Sequence, residues 1–236
     1  VGAMADAMAA GLNICSSNWL EASGPAEIER ITIAWLADLC GFPEEAGGTF
    51  VSGGSMANLT AIVVARQVLL GDPDPNALVY YADQAHISIF RGLRVLGFSP
   101  KQLRQIPTDE NFRLDPVLLE KQIVQDHDEG KRPFCVIANG GTTNTGAVDP
   151  LRAIAAICQS RDMWLHVDGA YGAGSVISER GRKQLDGLGL AHSITIDPHK
   201  WLFQPIESGC ILVRDRNWLR EAFDVSPEYL KDVDER

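Results

Sequence analysis

The chain is 236 residues long, 45% hydrophobic and 22% charged, proportions that suit one globular domain with a sizeable core. Its formal net charge of −10, with the acidic residues scattered, argues against binding nucleic acid or an anionic membrane by bulk charge. No apolar run approaches the ~20 residues that span a bilayer, and no signal peptide opens the chain.

The opening VGAMADAMAAGLN already has helical character, and the close, SPEYLKDVDER, is polar with no capping element. The sequence therefore reads as a piece of a longer protein, interrupted at a mobile loop. PAEIERITIAWLADLCGFP carries Ile28, Ile31, Trp35, Leu36 and Leu39 at helical spacing and stops at Gly41 and Pro43. SMANLTAIVVARQVLLGDPDP repeats the pattern and stops at Gly71. Further helices are expected over 87–97, 115–126, 150–160 and 215–223.

Short apolar runs between them predict strands: ALVYYA (77–82), FCVIA (134–138), MWLHVD (163–168), SITID (193–197) and CILV (210–213). The first four alternate with helices or with connections long enough to hold one. That order predicts an α/β domain with a mostly parallel central sheet flanked by helices. The five cysteines are odd in number and form no C-x-x-C pair, which points to reduced core thiols in a cytoplasmic protein and away from a zinc site.

The polar outliers converge on this map. His86 follows ALVYYA, Thr142 and Thr143 follow FCVIA, Asp168 ends MWLHVD, and Lys200 comes just after SITID. All lie at or just past the carboxyl ends of strands, the edge where open α/β sheets place ligands.

Each outlier has two readings. Gly53-Gly54-Ser55 leads into a helix, so its backbone N–H groups suit a phosphate, although Ser55 would also serve as a simple N-cap. Asp168 ends an apolar strand, where a carboxylate needs a donor or cation; it either bonds its own turn or acts as counter-ion to a buried cation. His86 reads as a core histidine or as a ring lying flat on another ring, and His199 as a phosphate contact. His127, in QDHDEG, reads as surface. Lys200 taken alone reads as a solvated side chain; next to apolar groups its amine loses proton affinity and can form a Schiff base. A Schiff-base lysine, an acid for a pyridinium nitrogen, a stacking ring and a phosphate cradle together specify pyridoxal 5′-phosphate.

These residues carry a resemblance. SGGSMANLTA, DQAH, GTTNTGAVDP with WLHVDGAYGA, and DPHKWL resemble, in order and spacing, the segments of the group II pyridoxal-phosphate-dependent decarboxylases, the family of the aromatic-L-amino-acid, histidine and glutamate decarboxylases. The pair HVDGAYG and PHKW is highly specific; the Gly-Ser loop alone is not. The resemblance implies the large domain of a fold type I transferase: residues 1–45 as its N-terminal helical part, 46–223 as the cofactor-binding part, and 224–236 as the start of a mobile catalytic loop. The resemblance also implies a C-terminal small domain, expected to lie outside these 236 residues.

Carried over by position, Lys200 resembles the lysine that holds the cofactor as a Schiff base, and Asp168 the acid that keeps the pyridine nitrogen protonated. Ala170 and His86 resemble the residues on the two faces of the ring. Gly54, Ser55 and His199 match phosphate-holding positions, Ser193 is a further candidate there, and Thr143 resembles the threonine near His86 and the ring substituents. Tyr229 falls where the family has a loop tyrosine that helps protonate the substrate carbon after carbon dioxide leaves. Together they imply decarboxylation of an L-amino acid, aromatic by family closeness, in a homodimer. An aminotransferase or carbon–carbon lyase of the same fold, or a non-catalytic fragment, stands as the alternative. The chain departs from the family in reading EASGPAEIE where Ser-Pro is common before A-x-x-x-E.

Overall fold

A computed structural model describes residues 2–15 and 19–224. Helices α1 (Gly2–Leu12) and α2 (Trp19–Leu39) lead into β1 (Gly47–Val51), α3 (Gly54–Leu69), β2 (Ala77–Ala82), α4 (Ile87–Val95) and β3 (Leu103–Ile106). Then come α5 (Pro116–Asp128), β4 (Arg132–Asn139), α6 (Leu151–Gln159), β5 (Trp164–Asp168) and α7 (Glu179–Gln184). The chain continues through β6 (Ser193–Ile196), α8 (Pro198–Trp201), β7 (Gly209–Val213) and α9 (Arg216–Phe223).

Among the described residues the strands form one seven-stranded sheet, ordered β1-β7-β6-β5-β4-β2-β3. The pairs β2–β3, β2–β4, β4–β5 and β5–β6 are parallel, while β6–β7 and β7–β1 are antiparallel. Two successive reversals leave β1 running in the same direction as β6. The loop after β1 therefore arrives at the same sheet edge as the loops after β2, β4, β5 and β6. That placement lets a glycine loop far upstream meet the lysine after β6.

The central strands are buried on both faces, which is why their sequences are nearly continuous apolar runs. Leu78, Tyr80, Val136 and Leu165 face one layer, packing with Ile33, Leu36, Leu119, Ile123 and Ile154 from α2, α5 and α6. The alternate residues Val79, Ile137, Trp164 and Ile211 face Ala57, Ala61, Val64, Ile89 and Leu93 from α3 and α4. Each fully buried Leu or Ile contributes about 1.5–3 kcal/mol relative to exposure. Helix α2 packs on the sheet, because its Ile33, Leu36 and Ala37 belong to the first of these cores.

Local chemistry sets the helix starts. Asp115 accepts the N–H groups of Val117 and Leu118 and so caps α5, with Pro116 in its first turn. His86 caps α4 by accepting the Ser88 N–H. At α3 the cap is Gly53 (φ 130°), and no side chain takes part. Ser55 is thus not the N-cap, and its hydroxyl is left for another partner. Cys40, Cys135, Cys158 and Cys210 are buried and free, while Cys15 is exposed. No helix among the described residues is long and apolar enough to cross a membrane.

Candidate active site

A cleft of about 450 Å³ opens at the carboxyl edge of the parallel strands. Gly54 and Ser55 from α3, His86 before α4, Thr143 after β4, Asp168 at the end of β5, Ala170 just beyond it, and His199 and Lys200 on α8 all line it. Residues spread over more than 140 positions of sequence are brought together because five strands end on one edge.

Lys200 sits on the single turn of α8, where its Nζ lies 2.9 Å from Asp197 Oδ2. Its side chain is 38% exposed and that of Asp197 only 4%, so the amine faces the cleft while its counter-ion is buried. Asp197 Oδ1 is buried with no hydrogen-bond partner. His199 Nδ1 lies 2.7 Å from the Ser208 carbonyl oxygen and 3.1 Å from the Ser208 nitrogen, and its Nε2 lies 3.7 Å from Asp197 Oδ2.

Asp168 is held on both oxygens. The Ala170 N–H donates to Oδ1 at 3.2 Å, and Asn58 Nδ2 donates to Oδ2 at 3.0 Å. The two readings of this residue thus both hold in part: it bonds its own turn and also reaches across to α3. Burial pushes its carboxyl pKa up; the two hydrogen bonds and the nearby His86 and Lys200 pull it back. Among the described residues no cation lies within ion-pair distance of it. A desolvated carboxylate lining a cleft, with donors but no cation, suits a ligand that brings a cationic N–H.

Gly54 is tight for a physical reason. A Cβ there would lie 2.8 and 2.9 Å from the two Asp197 oxygens and 3.1 Å from the Ala170 Cβ. The bare Cα lets the start of α3 close against the lysine's counter-ion. The first N–H groups of this helix lack intrahelical partners, and with the helix dipole they favour an anionic group. Thr143 stands exposed at the cleft, whereas Thr142 is buried and accepts the Ala147 N–H, closing its own loop.

Ser193 is placed elsewhere. It opens β6, at the end of that strand remote from Lys200, and is fully buried. Its hydroxyl is engaged by Trp164 Nε1 and His166 Nδ1, each at 2.9 Å, so it is not among the residues lining the cleft. Tyr229 lies outside the described residues. His127 is 76% exposed, as its polar surroundings suggested.

Asn58, Ser88, Asn139, Tyr171 and Asp197 also line the cleft, and sequence reasoning assigned none of them a role. Asp197 had a usable signal, since an acid directly before Pro-His-Lys at a strand end is close to the lysine by construction. Asn58 had only its position, one helical turn beyond the glycine loop.

The pyridoxal-dependent decarboxylase conserved domain matches residues 1–235. The chain belongs to this family. It is 51% identical over 232 residues to an aromatic-L-amino-acid decarboxylase of Bacillus atrophaeus, a match covering 98% of this chain and 48% of that protein. An L-2,4-diaminobutyrate decarboxylase of Rhizobium meliloti is 37% identical over 212 residues, 90% of this chain and 43% of that protein. Among solved structures, that of Oryza sativa TDC with PLP and tryptamine superimposes with a TM-score of 0.92 at 32% identity, covering 99% of this chain and 51% of that one. The chain thus spans about half the length of the relatives it matches. The type I transferase large-domain architecture expected from the sequence is the one found.

Proposed function

We propose that this chain is the cofactor-binding part of a pyridoxal-phosphate-dependent carboxy-lyase that converts an aromatic L-amino acid to its amine and carbon dioxide. The observation that carries the reading is the meeting of Lys200, Asp168 and the α3 N-terminus in one cleft. The aromatic preference is supported by the 51% identity to an aromatic-L-amino-acid decarboxylase.

When bound, the cofactor supplies a protonated pyridine ring that accepts the electron pair left as carbon dioxide departs. Lys200 Nζ would hold it covalently, and Asp197 Oδ2, at 2.9 Å, positions the amine at the cleft. Asp168 would accept the pyridine N–H, its charge favouring the cationic ring in a site that burial has dried. Ala170 and His86 would pack on the two faces of the ring, with Thr143 beside His86. The N–H groups of Gly54 and Ser55, the Ser55 hydroxyl and His199 would hold the phosphate. Tyr229, in the 224–236 segment, is proposed as the proton donor to the substrate carbon.

We place the protein in a reducing, cytoplasmic compartment, a reading supported by four buried free thiols. We read its assembly as a homodimer. Met4, Met8 and Leu12, 66–74% exposed at helical spacing on α1, give such a contact an apolar face.

Incubation with pyridoxal phosphate should colour the protein, and borohydride should then fix the cofactor to the peptide bearing Lys200. A colourless protein overturns the cofactor reading. With the cofactor bound, carbon dioxide and amine as products support the decarboxylase, whereas accumulation of pyridoxamine phosphate would make it an aminotransferase.

A further inference from the structure

A chain of buried polar groups runs beneath the cleft, between α3 and the sheet, and it has a fixed direction. The Trp164 indole N–H can only donate, so at 2.9 Å the Ser193 hydroxyl accepts from it. His166 Nδ1 lies 2.9 Å from the same hydroxyl. Asn58 Nδ2 donates to the Asp168 carboxylate, which only accepts, so Asn58 Oδ1 faces His166 Nε2 at 2.9 Å; an amide oxygen also only accepts, so Nε2 carries the ring proton and Nδ1 accepts from Ser193. Thr195 Oγ1 donates to the same oxygen at 2.7 Å.

Two donors on its oxygen orient the Asn58 amide, and its nitrogen faces the cleft. There it donates to Asp168 Oδ2 at 3.0 Å and to Ser88 Oγ at 3.3 Å. Ser88, having accepted, donates to His86 Nδ1 at 2.9 Å, and its N–H points to the same nitrogen at 3.3 Å. All four hydrogen-bonding positions of the Asn58 amide are used, in a residue that is 2% exposed. An amide with every position satisfied and its direction set from behind cannot turn without leaving several buried groups unpaired.

We propose that Asn58 is the positioning residue of the cleft: one amide nitrogen holds the Asp168 carboxylate and, through Ser88, sets the His86 ring with its proton on Nε2. The inference rests on the cofactor reading above for its meaning, but not for its test. Asp168 and His86 lie 82 residues apart in sequence and on different elements. Their shared anchor on α3 means that the acid beneath the ring nitrogen and the histidine over the ring keep one register. Asn58 also helps hold Asp168 in its charged form against the burial that opposes it.

The test begins with the cofactor-free protein. Imidazole nitrogen shifts measured by NMR should show both His166 and His86 as Nε2–H tautomers. A His166 proton on Nδ1 reverses the chain, turns the Asn58 oxygen toward Asp168 and overturns the proposal. Asn58→Leu, of similar volume but without donors, should weaken pyridoxal phosphate binding about tenfold or more, the worth of one hydrogen bond to a charged group. A structural role alone would lower the melting temperature and leave the cofactor dissociation constant of the folded fraction unchanged; that result also overturns the proposal. Ser88→Ala cuts only the branch to His86 and should mix the two His86 tautomers; an unmoved His86 refutes that branch, even if Asn58→Leu does not fold. If the parent protein binds no pyridoxal phosphate, the cofactor reading fails, while the tautomers still decide what Asn58 does.

Discussion

His192 offers a quantitative test of how the fold was built. It sits just before β6, stacked on Trp164 with ring centroids 5.0 Å apart and tilted against Trp218 at 6.0 Å. Its Nδ1 accepts the Leu165 N–H at 2.9 Å. Burial, reinforced by the neighbouring Arg214, lowers its pKa from 6.5 to about 4. His166, in the same layer, is lowered by burial to about 3. A base with a depressed native pKa binds fewer protons folded than unfolded, so between about pH 4 and 6.5 stability rises with pH and is lost on acidification. Relative to pH 7.5, His192 alone costs about 2 kcal/mol at pH 5, and His166 about as much again. That is a large part of the ~5–15 kcal/mol that holds a typical domain.

The perturbation is His192→Asn, whose Oδ1 can still accept the Leu165 N–H but which does not titrate. Loss of the stack should cost about 1 kcal/mol at pH 7.5. Between pH 7.5 and 5 the variant should then gain about 2 kcal/mol on its parent and become the more stable of the two. Urea unfolding followed by circular dichroism at both pH values measures this. Asp149 and Asp168, whose carboxyls burial raises, act in the opposite direction, but they are present in both proteins and cancel in the comparison. A parent–variant difference that stays constant across the two pH values would refute the linkage argument.

Three further outcomes are expected. In Gly209→Ala the new Cβ would run into the Gly53 backbone, so the variant should lose about 1–3 kcal/mol and bind pyridoxal phosphate more weakly. Gly24→Ala, which meets nothing within 4 Å, is the control, and melting curves with a cofactor titration compare them. Lys200→Ala should abolish borohydride fixation and lower the melting point, because it strands the buried Asp197 carboxylate; with Lys200 38% exposed, about 1–2 kcal/mol is expected, recovered by adding Asp197→Asn. Tyr229→Phe should leave cofactor absorbance intact and slow amine formation; equal turnover of the two proteins would remove Tyr229 from the proposed chemistry.

The sequence expectation named five strands and missed β1 and β3, and the misses have one cause. Both are the edges of the sheet. An edge strand has one neighbour, so the apolar pressure that makes a central strand readable is relaxed. β3 is LRQI, short and half polar, and β1 is GGTFV, partly buried throughout. The two glycines that make β1 look like a loop are forced by packing. A Cβ at Gly47 would lie 2.6 Å from Arg216 Cβ, and one at Gly48 would meet the Ile211 carbonyl oxygen. The central strands could be read because burial on both faces leaves nothing but Val, Ile, Leu and aromatics at most positions.

The site divides along the same physical line. Lys200, Asp168, His86 and Thr143 were legible because each is a polar group at the end of an apolar strand, an expensive placement that needs a reason. Asn58 was not, because a helix interior tolerates an asparagine at small cost and nothing in the local sequence shows what its side chain reaches. Ser193 fails in the opposite way. The resemblance made it a phosphate candidate, on the strand that leads to the lysine. Yet β6 is parallel to β5, so its first residue lies below the carboxyl edge, in register with His166 in the middle of β5. Strand direction, not proximity to Lys200 along the chain, decides that Ser193 works from below the cleft: its hydroxyl fixes the proton of His166, and through Asn58 that proton fixes the carboxylate the cleft presents.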